Sequence, residues 1–167
     1  MNMDDLNLAQ QGKFPAEKVA PGAYNSRVKC LPLQAVLSAN LGVGDEILGL
    51  KLPENAKIVD ATLRVSGTAG ATGIFDMGLK AGKVYDEDAA GGKEDFSEDS
   101  DALVKGVDAG GQAALGRMDE TSVMLGGTKK RVGPGGLQVF VICTEITVDL
   151  DSTPADLEGF VYYTLES

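Results

Sequence analysis

Two stretches of this chain carry residue types that could do chemistry. The first begins at Asp86 as DEDAAGGKEDFSED, inside a segment, 82–101, that holds eight acids (Asp86, Glu87, Asp88, Glu94, Asp95, Glu98, Asp99 and Asp101) against Lys83 and Lys93. A calcium loop of the EF-hand kind begun at Asp86 would need an oxygen ligand at its fifth position, glycine at its sixth and glutamate at its twelfth. Those positions hold Ala90, Gly91 and Ser97, so only the glycine fits. The segment reads instead as a long solvated excursion kept open by its own like charges. The second stretch is GGTKKRVGPGG, which contains the one basic cluster of the chain, Lys129, Lys130 and Arg131. A phosphate-binding P-loop places Gly-Lys-Ser/Thr after a strand and before a helix. Here Thr128 precedes Lys129 and Pro134 follows, and GTAGATG at 67–73 lacks the lysine altogether, so both read as turns. The basic cluster keeps two readings: a loop held in solvent, or a docking contact for an acidic patch on a partner or on a second copy.

Nucleophilic and metal chemistry find little material. The chain has no His, which removes the commonest general base and the commonest metal ligand. Cys30 and Cys143 lie in the apolar runs VKCLPL and VFVICTEI, 113 positions apart and without an imidazole, so they do not compose a zinc site. In a reducing compartment each reads as a small core residue, and a disulfide between them is not expected. Paired carboxylates remain conceivable for glycoside hydrolysis, but such clefts are lined by aromatics, and Trp is absent. The expectation is a protein that is not an enzyme and has no cofactor, metal or small-molecule substrate.

Composition narrows the class further. At 167 residues one domain is expected, large enough to bury a core without staples. The net charge of −10 disfavours nucleic acid as a partner, because affinity for nucleic acid comes mainly from cations on phosphates. Asp4 and Asp5 stand where a signal peptide would carry positive charge, and no run approaches the ~20 apolar residues of a membrane span. The expected place of synthesis is a cytoplasm. Twenty-two Gly point to a loop-rich β protein rather than a helical bundle.

The elements that must position any site follow from periodicity. Residues 1–22, with Pro15 and Pro21, show no period and read as an extended N-terminal arm, and a β-sandwich domain is expected over 23–167. Leu31, Leu33, Ala35 and Leu37 alternate as one buried face, and Pro32 assigns that strand to an edge. Leu48, Leu50 and Leu52 are expected on one face. The turn Pro53-Glu54-Asn55-Ala56 follows, and then Val59, Ala61, Leu63 and Val65 on another; together the two runs predict an antiparallel hairpin. Phe75, Met77 and Leu79 make a further one-sided strand. Asp99 or Ser100 is placed to cap a short helix through Ala109, with Leu103 and Val107 four apart. A short strand is expected at 120–125. Val139 to Val148 predicts a strand buried on both faces at its start, and Phe160 to Leu165 closes the chain after a turn at 149–158. Six to eight strands without a fixed repeat predict an all-β, antiparallel two-sheet β-sandwich with one short helix.

Residues 44–82, GDEILGLKLPENAKIVDATLRVSGTAGATGIFDMGLKAG, resemble a pattern of small virion proteins of tailed, short-tailed-type bacteriophages, encoded near the major capsid protein. The matching residues are Gly44, Asp45, Leu52, Pro53, Ile58 to Leu63, Thr72 to Ile74 and Asp76 to Gly78. Asp101-Ala102-Leu103-Val104 and Phe160-Val161-Tyr162-Tyr163 match as well. The resemblance runs from about residue 24 to the C-terminus and is distinctive over 44–82; the acidic 82–101 insertion departs from it. It implies a jelly-roll head decoration (cement) protein that binds the outside of the capsid lattice and stabilises the mature shell. The implied partners are the major capsid protein and further copies of itself, as a dimer or trimer, and the implied location is the virion surface. No catalytic motif carries over. Lys13, Phe14, Lys129, Lys130 and Arg131 are the candidate contacts with shell or subunit. The rival reading is a carbohydrate- or ligand-binding sandwich module of a virion tail or fibre, against which the missing Trp counts.

Overall fold

The computed structural model describes residues 27–37, 42–66, 73–108, 114–118, 130–146 and 155–165. They form β1 (Lys29–Leu37), β2 (Glu46–Leu52), β3 (Ala56–Ser66), β4 (Gly73–Leu79), β5 (Gly82–Asp86), β6 (Lys93–Phe96), β7 (Asp99–Asp108), β8 (Ala114–Arg117), β9 (Lys130–Val132), β10 (Leu137–Ile146) and β11 (Ala155–Leu165). A first sheet has the order β1-β11-β3-β8, a second β2-β10-β4-β7, and a small third sheet β6-β5-β9. Every pairing is antiparallel. With the small sheet set aside, the chain changes sheet at every step but one, the passage from β4 to β7. That winding keeps the other sequence neighbours on opposite layers, so every main pairing except β4 with β7 joins elements that are not consecutive.

The inner faces are apolar because alternation points every second side chain inward. Leu33, Ala61, Leu63, Val65, Leu157 and Val161 of the first sheet meet Phe75, Met77, Leu79, Val139, Val141 and Cys143 of the second in one buried cluster. Each fully buried Leu or Val there contributes roughly 1.5–3 kcal/mol relative to exposure. β1 lies at an edge, where Pro32 leaves no ladder bond unmade.

Several expectations need correction. No helix occurs among the described residues; 99–108 is strand β7. Its pairing with β4 slips twice, so that Val107 faces Phe75, Val104 faces Met77 and Asp99 faces Leu79. The extra residues, including Gly106 at φ +65°, bring Leu103 and Val107 into the core at a spacing that imitates a helical turn. Pro53–Ala56 is indeed a tight turn, closed by Ala56 N–H donating to the Pro53 carbonyl, with Asn55 at φ +66°. It joins two sheets, however, and not a hairpin: β2 pairs with β10 and β3 with β11. In β3 a bulge sets two steps (Ile58 to Asp60) against one in β11, which turns Ile58 inward and leaves Val59 outside. A second slip between β2 and β10 turns Leu48 and Leu50 outward while Leu52 stays buried. Residues 82–96 are no loose excursion but a hairpin of the third sheet, with Val84 and Val132 in the core. The last strand begins at Ala155, earlier than its apolar run suggests. The strand expected at 120–125, the loop at 67–72 and the arm at 1–22 lie outside the described residues.

Gly78 marks a close approach. A methyl group there would overlap the backbone of Asp99 and Ser100, which crosses directly over β4. Gly78→Ala is therefore expected to lower unfolding free energy by about 2 kcal/mol, as overpacking does, read as a shift in urea midpoint at unchanged slope.

Candidate interaction faces

Outward-pointing side chains are the candidates, because no described buried side-chain nitrogen or oxygen lacks a hydrogen-bond partner. Nor do the described residues hold any group of three or more Cys, Asp or Glu placed to bind a metal ion.

On the first sheet, even-numbered residues of β1 and β11 point outward in register: Cys30 beside Tyr162, Pro32 beside Phe160, Gln34 beside Glu158 and Val36 beside Asp156. Thr62 and Arg64 of β3 flank Phe160 and Glu158 on the other side. The Phe160 and Tyr162 rings stack at 6.4 Å between centroids and 28° between planes, within the range where aromatic pairs attract. Next to this ledge opens a hollow of about 520 Å³, lined by Gln34, Val36, Arg64, Asp156 and Glu158 and floored by Ala35 and Leu157. Gln34 Nε2 donates to Glu158 Oε1 at 3.2 Å across it. The sequence reading missed this face. The available signal was that 159–163 is apolar at both parities, as a strand covered on two sides would be.

The outer face of the second sheet has a different character. Phe140 points away from the main core beside Leu48, yet it is fully covered. Lys80 explains part of the cover: its ammonium lies 4.2 Å from the Phe140 ring centroid, and Glu46 (2.6 Å) and Glu98 (3.1 Å) hold it there. The Glu46 hydrogen bond, opposed by burial and aided by Glu98, raises the Lys80 pKa above the ordinary lysine value. Leu48 and Leu50 beside it are 59% and 58% exposed on the edge strand β2, and Val43 stands exposed just before.

The small sheet gathers the charges that the sequence singled out. Lys130 on β9 reaches Glu94 at 2.6 Å and the nearly buried Asp86 at 3.3 Å, both from the acidic hairpin. Arg131 lies 5.2 Å and Lys93 5.5 Å from the Tyr85 ring centroid. Tyr85 hydroxyl donates to Glu54, which raises its pKa, with burial adding to the shift. Two of the proposed docking residues, Lys130 and Arg131, thus engage the chain's own acidic hairpin; Lys13, Phe14 and Lys129 lie outside the described residues. Cys30 is exposed on β1, a correction to its expected place in the core. Cys143 is buried, and both thiols are free. Burial pushes the Cys143 thiol pKa up.

The Glu94 hydrogen bond, opposed by burial and aided by Asp86, raises the Lys130 pKa. A lysine raised on folding stabilises the fold fully below its unfolded value, about 10.4, and loses that contribution as pH rises through the folded value. Lys130→Met, which removes the ammonium that Glu94 and Asp86 share, should cost about 2 kcal/mol at pH 7. Thermal melts across pH 7–12 check this: the difference between parent and variant should stay constant to about pH 10 and shrink above it.

No protein-family model matches the chain, and no curated protein matches it. Solved structures do resemble its fold. A chain of the cyanophage Pam1 capsid asymmetric unit superposes with a TM-score of 0.54 at 13% identity, covering 84% of this chain and 86% of that one. A chain of the capsid of Ralstonia phage GP4 gives a TM-score of 0.52 at 18% identity, with coverage of 84% and 86%. The chain shares its β-sandwich fold, over most of its length, with chains from two phage capsids.

Proposed function

We propose that this protein is a structural component of a phage virion, a decoration protein that binds the outside of the capsid lattice and stabilises the mature shell. The observation that carries the reading is the likeness in fold, over 84% of the chain, to chains of two phage capsids. The residues agree with it: large apolar groups, Leu48 and Leu50 among them, lie exposed on an outer sheet face.

Such a protein acts by mass action. Anything that binds the expanded lattice and not its precursors stabilises the expanded form. Several copies linked to one another then bind more firmly than one, without any new kind of contact. The negative charge keeps unbound chains apart at high concentration. On this reading the lattice contact falls on the exposed side of β2, at Leu48 and Leu50, and on the arm 1–22 with Lys13 and Phe14, which orders against the major capsid protein or a neighbour. Lys129 remains a candidate for the same contact.

The rival, a carbohydrate-binding module of a tail or fibre, draws on the aromatic ledge beside the polar hollow of the first sheet. Mixing purified protein with expanded heads that lack it, then pelleting, separates the two. Saturable co-sedimentation is the expected result, and protein left in the supernatant at every salt concentration overturns the reading. Leu48→Glu combined with Leu50→Glu should reduce binding at least tenfold without lowering the melting temperature. Deletion of residues 1–22 should also weaken binding with the melt unchanged; equal binding would show the arm to be dispensable.

A further inference from the structure

We infer that the outer face of the first sheet holds a binding site for neutral sugars, in which the hollow beside Arg64 takes the hydroxyl rim of a hexopyranose and the Phe160 ring takes its C–H face. The strand registers build the two halves as successive rows. Gln34 of β1, Glu158 of β11 and Arg64 of β3 stand side by side across three neighbouring strands. Two residues further along β11, the next outward row is Pro32, Phe160 and Thr62. Rows on one face of a sheet lie roughly 6.6 Å apart, twice the strand rise. That spacing puts a polar row and an aromatic ring within reach of one sugar unit. A pyranose carries hydroxyls around its rim and carbon-bound hydrogens on its faces, and such hydrogens are drawn to the negative face of an aromatic ring. Tyr162, stacked on Phe160, extends the platform by a further row, so the face suits an oligosaccharide laid along β11.

The polar row selects the ligand. Arg64 is exposed, and its guanidinium makes no hydrogen bond or ion pair with any described residue. Glu158 accepts one hydrogen bond from Gln34, at 3.2 Å, which leaves Glu158 Oε2, Gln34 Oε1 and the second amide hydrogen open among the described residues. Asp156 adds another carboxylate to the lining. Donors and acceptors are thus interleaved. An anion would meet two carboxylates against one guanidinium, and a cation would leave the Arg64 and Gln34 donors unmatched. A hydroxyl both donates and accepts, so a neutral polyol matches the whole row without covering an unpaired charge. The volume of about 520 Å³ falls within the roughly 300–1,000 Å³ of ligand clefts. Phe160 and Tyr162 stand in for the missing Trp with a smaller ring area, so weak binding at each site is expected.

The site lies on the sheet opposite Leu48 and Leu50, so it goes beyond the lattice contact and holds wherever in a virion the chain sits. Saturation-transfer NMR on the full chain tests it, with cellotetraose, mannotetraose and galactotetraose each at millimolar concentration. At least one of them should receive saturation, strongest on the C–H protons of one ring face. Arg64→Met and Phe160→Ala should each weaken that binding at least tenfold, and Leu48→Glu should leave it unchanged. Arg64 is exposed, so its variant decides the matter even if Phe160→Ala lowers stability. Absence of transfer to all three sugars, including the case in which only the acidic polygalacturonate receives it, overturns the assignment. Binding that Arg64→Met leaves unchanged overturns it as well. Co-sedimentation with heads reads the other face and should be the same for Arg64→Met as for the parent, so failure here is distinct from failure of the decoration reading.

Discussion

Mutual burial of two inner sheet faces is the constraint from which the other features follow. Met77, Leu79, Val139 and Val141 on one layer and Leu63, Val65, Leu157 and Val161 on the other can leave water only against each other. That requirement overrides local convenience. It draws β2 to β10 and β3 to β11 although a tight turn joins β2 directly to β3. It also forces bulges wherever the pattern of apolar residues slips out of step with the pleat. A one-residue slip would otherwise carry a whole run of side chains to the wrong face.

The bulges explain why the fold was only partly legible in the sequence. Phe75, Met77 and Leu79 alternate without interruption, and the structure buries all three as the alternation demands. The edge position of β1 was legible through Pro32, because a residue without an N–H is disqualified from a central strand. Leu48, Leu50, Val59, Leu103 and Val107 misled because each lies at or near an inserted residue, and insertion alters the period that the reading relies on. At 103 and 107 the altered spacing coincided with a helical one. The supposed hairpin failed for another reason: a four-residue turn has the same composition whether its strands lie side by side or in facing layers, and only distant partners decide.

The candidate surfaces were less legible still. Lys130 and Arg131 stood out as cations, but their partners Glu94, Asp86 and Tyr85 come from a hairpin that sequence alone read as solvent-exposed coil. Phe160 and Tyr162 were read as part of the closing strand, but their outward orientation was not legible, because only the strand register shows which parity faces outward. The Lys80 cover over Phe140 had no sequence signal at all. Its two carboxylates are 34 and 18 residues away, so their convergence is a product of the finished sheets.

The pairing of β1 with β11 joins residues 29–37 to 155–163, near the two ends of the described residues. During synthesis the early strand leaves the ribosome with its partner still untranslated, so this ladder cannot zip until β11 itself has been made. High sequence separation between contacting segments slows folding and prolongs the exposure of unpaired strand edges. Pro32, standing in the middle of that waiting strand, interrupts the row of amide donors that a stray strand would otherwise capture. The proline that marks a sheet edge in the finished molecule thus also guards the nascent chain against premature aggregation.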